Sequence, residues 1–236
     1  MVDPGYYHKD KAAHAALVEQ LYREFPDGVK LPAEYAAFVH KDTARLLIML
    51  ARYKFAAKMI RKSDHLLEVG CGSGLGGNFL SQYCMQYTGI DVRTTAIDEA
   101  RMLSRAKNAE FIAADFFQLK KYNQYDVIVA LDVIEHMPVE QGHKLLNTMA
   151  GYLKPTGMVI IGTPSIYSYE YQSPLSKTSH VKCYDQQELV EVVNKHFGRT
   201  IAFSMNDELV HTGFSKLAWY YFVLGFVPEY SKEEDG

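Results

Sequence analysis

Apolar positions change their period twice along the chain. Over residues 11–25 they recur at helical spacing, and Pro26, Asp27 and Gly28 stop the run. Pro32 then opens a helical stretch reaching about residue 60, with Phe38, Leu46, Leu47, Leu50, Phe55 and Met59 near a 3.6-residue period. From about residue 63 the pattern becomes short, nearly continuous apolar runs at 66–70, 87–91, 110–114, 125–131 and 158–162. Segments long enough for crossover helices separate these runs, so strand–helix alternation predicts a largely parallel sheet. Asp185 is placed to cap a helix ending near residue 196, and a strand follows at 200–205. The stretch 217–224 reads as a last strand, and residues 233–236 as an acidic, frayed tail. The expected organisation is an N-terminal helical region over 1–62 and an α/β domain over 63–236, with a polar, aromatic loop at about 164–184.

Composition narrows the class of partner. Of 236 residues, 48% are hydrophobic and 22% charged, a globular balance. The formal net charge of -3 leaves no broad basic field for a nucleic acid. The one dense basic group, Lys54, Lys58, Arg61 and Lys62, has the spacing of a solvated helix face. Cys71, Cys84 and Cys183 form no CxxC pair, which argues against a disulfide framework or structural zinc and points to a reducing cytoplasm. Residues 1–11 are polar and lack a signal core, and the longest apolar run, 217–227, is too short to span a bilayer.

The candidate chemistry starts where the first apolar run ends, in Glu68-x-Gly70-x-Gly72-x-Gly74. Glycine permits a tight turn there and lets a ligand approach the backbone. Gly72-x-Gly74-x-x-Gly77 formally has dinucleotide-loop spacing, which keeps a nicotinamide-dependent dehydrogenase as an alternative. Its register begins too late, however, and the carboxylate of Glu68 would repel a pyrophosphate while suiting a cationic amino-acid group. The second run ends in Gly89-Ile90-Asp91, which sets a carboxylate beside the glycine loop, able to accept both ribose hydroxyls of an adenosine. After the third comes Ala113-Ala114-Asp115-Phe116, offering an acceptor for an adenine amino group and a ring to lie against the base. Phe116 and Phe117 are adjacent, so one is expected to face the cofactor and the other the core. The fourth run ends in Asp132-Val133-Ile134-Glu135-His136, and Leu153-Lys154-Pro155-Thr156-Gly157 turns into the fifth.

This ordered set, over about 66–163, resembles the motifs of class I S-adenosylmethionine-dependent methyltransferases, in particular small-molecule O-methyltransferases of the ubiquinone-pathway type. The resemblance implies a Rossmann-like α/β fold: seven strands, mostly parallel with the last antiparallel, helices on both faces and an N-terminal helical cap. It implies S-adenosylmethionine as cofactor and S-adenosylhomocysteine as product. Glu68, Gly70 and Gly72 would line the methionine end, with Gly74 in the same loop. Asp91 would hold the ribose, Asp115 and Phe116 the adenine, and Asp132 would lie under the sulfonium.

For chemistry, a hydroxyl acceptor gains from a base, and His136 and His180 are the two candidates. Asp132, Glu135 and His136, at i, i+3, i+4, would share one face of a helical turn and could hold a divalent ion. A similar acid-x-x-Glu-His segment occurs in ubiquinone-pathway and small-RNA 2′-O-methyltransferases. Metal-using members usually have Glu first, where this chain has Asp132, so the sequence does not favour a metal. The loop at 164–184, with Tyr167, Tyr169, Tyr171, His180, Lys182 and Tyr184, is expected to cover the acceptor. Tyr6, Tyr7, His8, Tyr35 and His40 suggest that the N-terminal region closes the same side. The chain lacks an Asn/Asp-Pro-Pro-Tyr segment after the fourth strand and lacks a Pro-Cys nucleophile. A small hydroxylated or sugar-bearing acceptor is therefore preferred to RNA or protein. A cofactor-binding partner protein without catalysis is the other alternative, and the oligomeric state, a homodimer included, is left open.

Overall fold

The computed structural model describes residues 11–231. Tyr6, Tyr7, His8, most of the polar N-terminal segment and the acidic tail lie outside the described residues. The chain divides into two compact units between Leu31 and Pro32. In the first, helix α1 (Lys11–Glu24) buries no residue, and Leu17, Leu21 and Tyr22 are exposed. It ends in a turn closed by Gly28 N–H donating to Phe25 O.

The second unit begins with two helices where the apolar period predicted one. Helix α2 (Ala33–Lys41) stops at Asp42, whose φ of -156° leaves the helical region, and α3 (Thr43–Met59) starts immediately after. The break comes from capping: the Asp42 carboxylate accepts from Arg45 N–H at 3.2 Å. Then follow β1 (His65–Val69), α4 (Leu75–Leu80), β2 (Gln86–Asp91), α5 (Thr94–Leu103), β3 (Ala109–Ala113), β4 (Tyr125–Leu131), α6 (Val139–Tyr152) and β5 (Leu153–Pro164). The chain continues with α7 (Pro174–Ser179), α8 (Gln186–Asn194), β6 (Phe197–Asn206), β7 (Leu209–His211) and β8 (Tyr220–Pro228).

The strands form one sheet in the order β3-β2-β1-β4-β5-β8-β6-β7. Strands β1 to β5 run parallel, and β8 inserts antiparallel between β5 and β6. The count is eight, not seven, because Asp207 at φ 54° turns the chain back and β7 pairs with β6 as a hairpin. The last strand also starts later than the apolar run. Phe214, at φ 50°, leads into a 3-10 turn over Ser215–Leu217, so pairing begins only at Tyr220.

Side-chain alternation splits the core between the two faces of the sheet. Leu67, Ile128, Ala130, Val159, Ile161, Tyr221 and Val223 point to one face, packed by Leu145, Leu146 and Met149 of α6 and Leu189 and Val193 of α8. Leu66, Val127, Val129, Ile160, Phe222 and Leu224 point to the other, under Ala56 and Ala57 of α3 and Ile97 and Ala100 of α5. Burying each large apolar side chain contributes about 1.5–3 kcal/mol, and this two-sided burial explains why the central strands read as continuous apolar runs. The carboxyl-terminal ends of the parallel strands β1 to β5 therefore open on one edge of the sheet.

Candidate active site

The glycine loop leaves β1 at that edge. Gly72 (φ 53°) and Gly74 (φ 81°) lie in the left-handed region that favours glycine, as does Gly70 (φ 74°). A Cβ at Gly74 would press on Ala100 of α5, whereas one at Gly72 would meet only open space beyond Arg93, 3.8 Å away. The loop is therefore packed on one side and accessible on the other, as close approach of a ligand requires.

Asp91, at the end of β2, is nine-tenths buried and ties that loop down. One carboxylate oxygen accepts from Gly72 N–H at 3.1 Å, the other from Arg93 N–H at 2.9 Å and Nε at 3.3 Å. Ala114 N–H donates to Asp91 O, which brings the segment after β3 alongside. There Asp115 is exposed and caps a 3-10 turn by accepting from Phe117 N–H at 3.0 Å. Of the two adjacent rings, Phe116 is the core residue, 5% exposed and edge-on to Tyr152; Phe117 is half-buried with Lys144 over its face.

Glu68 is buried, and both of its oxygens are occupied. Tyr53 OH donates to one at 2.9 Å and Tyr87 OH to the other at 2.5 Å. Burial pushes the Glu68 carboxyl up to about 7, against the two tyrosine hydrogen bonds that hold it down. Tyr53 reaches this position because Gly76 carries no side chain; a Cβ there would collide with the tyrosine ring.

Asp132 follows β4 with φ 57°. Both of its carboxylate oxygens accept from Arg52 Nη1 of α3, at 2.9 and 2.7 Å, and the guanidinium lies 4.0 Å from the Tyr220 ring centroid. Tyr53, Tyr87 and Arg52 were missed at the sequence level. A signal existed for Arg52, an arginine inside an apolar helical stretch that must find a partner to be buried.

The next turn carries Glu135 and His136. Glu135 is fully buried; its Oε2 accepts from Thr163 Oγ1 at 3.0 Å, and its Oε1 has no hydrogen-bond partner. Burial, reinforced by Asp132, raises its carboxyl well above the usual range. The Glu135 carbonyl accepts from Val181 and Lys182 N–H at 2.7 and 3.0 Å, which clips the segment after β5 onto this turn. That segment is structured: a 3-10 turn (Ile166–Tyr171) precedes α7, which Ser173 caps. His180 consequently faces His136, with ring centroids 5.0 Å apart. His136 is exposed and its Nδ1 lies 3.0 Å from Ser179 O. His180 Nδ1 is buried without a partner, and burial, with His136 close by, lowers the His180 pKa.

The structure thus gathers the glycine loop, Asp91, Asp132, His136 and His180 at one edge of the sheet, with Asp115 at the adjoining strand end. It does not assemble Asp132, Glu135 and His136 as a ligand set. Glu135, His136 and His180 instead bring one ligand atom each to within 4.8 Å of one another, while Asp132 turns to Arg52. A shallow recess lined by His65, Gln86, Thr88, Glu110 and Tyr125 lies at the opposite edge and holds none of these residues.

Residues 66–157 match the family described as "Methyltransferase domain". The matched stretch runs from β1 into β5, so the methyltransferase-domain match lies on the Rossmann-like part of the sheet. More particularly, the chain is similar to the ubiquinone biosynthesis O-methyltransferase of Rickettsia felis, 32% identical over 100 residues, 42% of this chain and 40% of that protein. The same-named protein of Coxiella burnetii is 31% identical over 121 residues, 50% of this chain and 51% of the relative. The matched stretch thus spans about half or less of these curated relatives. Among solved structures, N-methyltransferase NodS of Bradyrhizobium japonicum in complex with S-adenosyl-L-homocysteine aligns with a TM-score of 0.56 and 18% identity, over 80% of this chain and 88% of that one. At that identity the likeness speaks for the fold.

Proposed function

We propose that this chain transfers the methyl group of S-adenosylmethionine to a hydroxyl of a small molecule or a sugar-bearing metabolite. The observation that carries this reading is the facing pair of His136 and His180 beside Asp132, at the edge where the glycine loop and Asp91 open. In the proposed complex Asp91 accepts the ribose hydroxyls, Asp115 takes the adenine amino group, and the ring of Phe117, in place of the core-buried Phe116 expected from the sequence, backs the base. Gly70, Gly72 and Gly74 let the methionine end lie on the backbone, with Glu68 behind the loop and Asp132, held by Arg52, beside it.

The sulfonium is already a good leaving group, so the chain chiefly has to hold the acceptor in line. The acceptor oxygen attacks the methyl carbon, the carbon–sulfur bond breaks with its electron pair going to sulfur, and the hydroxyl proton passes to an imidazole. His180 suits that last role because its lowered pKa keeps the ring neutral near pH 7 and its Nδ1 lone pair is unpartnered. Helices α2 and α3 and the segment over 164–184 would close the acceptor side. The names of the similar curated proteins support O-methylation, and the three free cysteines suit a reducing cytoplasm. No described helix is long and apolar enough to cross a membrane.

The test is production of S-adenosylhomocysteine from S-adenosylmethionine with a panel of phenolic, catecholic and sugar hydroxyl acceptors, set beside amine acceptors. His136→Ala and His180→Ala are expected to lower kcat with an effective acceptor by about 10²–10⁴-fold if the ring replaced is the base, with cofactor affinity unchanged. Turnover confined to amines, or normal kcat in both variants, would overturn the hydroxyl reading.

A further inference from the structure

We infer that His143 and His196 form a proton-operated clasp that lets go of a C-terminal strap, residues 229–231, when both imidazoles are charged. The inference concerns groups that the methyl-transfer reading does not use, and it stands or falls independently of that reading.

The two rings meet between α6 and the segment that joins α8 to β6. His143 Nδ1 and His196 Nε2 lie 3.0 Å apart, with ring centroids separated by 5.3 Å. A contact of that length needs a hydrogen on one nitrogen and a lone pair on the other. The neutral pair meets this requirement. A first added proton can sit on the far nitrogen of the donating ring and keep the contact. A second has to go onto the accepting nitrogen, which sets N–H against N–H and cation against cation.

The strap is tied to the same surface. His143, Asn147 and Gly151 follow one another at i, i+4 spacing along α6 and so share a face. Ser231 N–H and Oγ donate to Asn147 Oδ1 at 3.2 and 3.0 Å, and Asn147 Nδ2 donates to Ser231 O at 3.1 Å. The Tyr230 ring covers Gly151, where a Cβ would approach it to 2.7 Å. Glu229 N–H donates to His196 O at 2.8 Å, so the residue that supplies one ring of the clasp also anchors the strap through its backbone. Just before the strap, Val227 is held at φ 58°, a left-handed conformation that a β-branched residue resists. Loss of the clasp removes part of what offsets that strain.

The surroundings oppose a second proton. Both rings are half-buried. Burial lowers both below the ordinary 6.5, His196 to about 4 with His143 next in effect, and Lys195, just after α8, pushes both the same way. Glu140, one turn back on α6, favours the charged form of His143. Lys144 turns to the Phe117 ring, and the carboxylate of Glu229, on the strap, lies over Gly198. Once the strap opens, the rings return to the ordinary value, so opening takes up protons. The closed form is therefore fully favoured above pH 6.5 and loses ground as pH falls from 6.5 toward 4.

Amide-resolved hydrogen exchange of the full chain, corrected for the intrinsic pH dependence of exchange, is followed from about pH 7.5 to pH 5. Protection of the Glu229 and Ser231 amides should fall by about tenfold or more over that interval in the wild type, while amides of the central strands keep theirs. In His143→Gln the side-chain amide can donate to a neutral His196 or accept from a charged one, so protection of the strap should stay flat with pH. His196→Gln makes the same comparison from the other ring and keeps the test decisive if the first variant fails to fold. Asn147→Ala should expose the Ser231 amide at every pH and leave the pH dependence of Glu229 in place. Imidazole nitrogen NMR reads the rings directly, and His196 should titrate at lower pH in the wild type than in His143→Gln. Flat protection in the wild type, an unchanged pH dependence in both glutamine variants, or two rings that titrate at the ordinary value would overturn the inference.

Discussion

Replacing Arg52 by Met removes the cation that holds Asp132 while keeping an unbranched side chain of similar length. At an effective dielectric of about 20, opposite charges 4 Å apart attract by about 4 kcal/mol before desolvation is counted. Two features reduce that figure. The side chains of Arg52 and Asp132 are 21% and 35% exposed, so solvent screens the pair in part. Both contacts also come from Nη1 alone, without the two-nitrogen fork that makes arginine–carboxylate pairs strong. Loss of the guanidinium over Tyr220, at 4.0 Å, adds about 0.5–2 kcal/mol. The single substitution is therefore expected to cost about 2–3 kcal/mol, since it also leaves Asp132 near the buried Glu135 without a compensating charge. In a double-mutant cycle with Asp132→Asn, measured by urea unfolding, the coupling should be about 1–2 kcal/mol. A coupling below roughly 0.3 kcal/mol, the additivity error of such cycles, would refute the view that Arg52 holds Asp132 in place.

Other expectations follow from neighbouring residues. Gly76→Ala forces the Tyr53 ring off Glu68 and should destabilise the protein by about 1–3 kcal/mol through overpacking; an unchanged Tm would show that the ring has room to move. The Glu68 carboxyl titrates near 7 in the folded chain against 4.5 for the ordinary group, so the folded state holds a proton that the unfolded chain has released between these values. Its contribution is fully present below pH 4.5 and is lost as pH rises through 7, about 3 kcal/mol in all. Denaturant titrations from pH 4 to 8 should show this slope in the wild type and lose it in Glu68→Gln; identical slopes would remove Glu68 as the source.

Much of the fold was legible because two-sided burial writes itself into continuous apolar runs. The five parallel strands and the helices between them fell where that pattern set them, within a few residues. The misses have local causes. Asp42 breaks a helix by capping, and an unbroken 3.6-residue apolar period conceals such a cap. The run at 217–227 mixes a 3-10 turn with a strand, so its hydrophobicity could not show where pairing begins. The short β7 follows from Asp207 in a left-handed turn, which an aspartate permits without announcing.

The candidate site was legible in part for the same reason. Gly70, Gly72, Gly74 and Asp91 sit at strand ends and could be located from the strands alone. Tertiary pairing across 80 residues, as between Arg52 and Asp132, leaves no local pattern. Nor does the meeting of His136 with His180, which depends on how the Glu135 carbonyl anchors the segment after α7. The i, i+3, i+4 spacing of Asp132, Glu135 and His136 assumed a regular helical turn. The chain enters that turn through a left-handed Asp132 and forms a 3-10 turn, which sends Asp132 elsewhere.

The most direct test of the central claim is calorimetric titration of the purified chain and of Asp91→Ala with S-adenosylhomocysteine. One micromolar site per wild-type chain is expected. In a folded Asp91→Ala binding should be weakened by about 1–3 kcal/mol, the cost of losing a buried charged acceptor. A folded wild-type protein that fails to bind S-adenosylhomocysteine but binds reduced nicotinamide cofactor would contradict it.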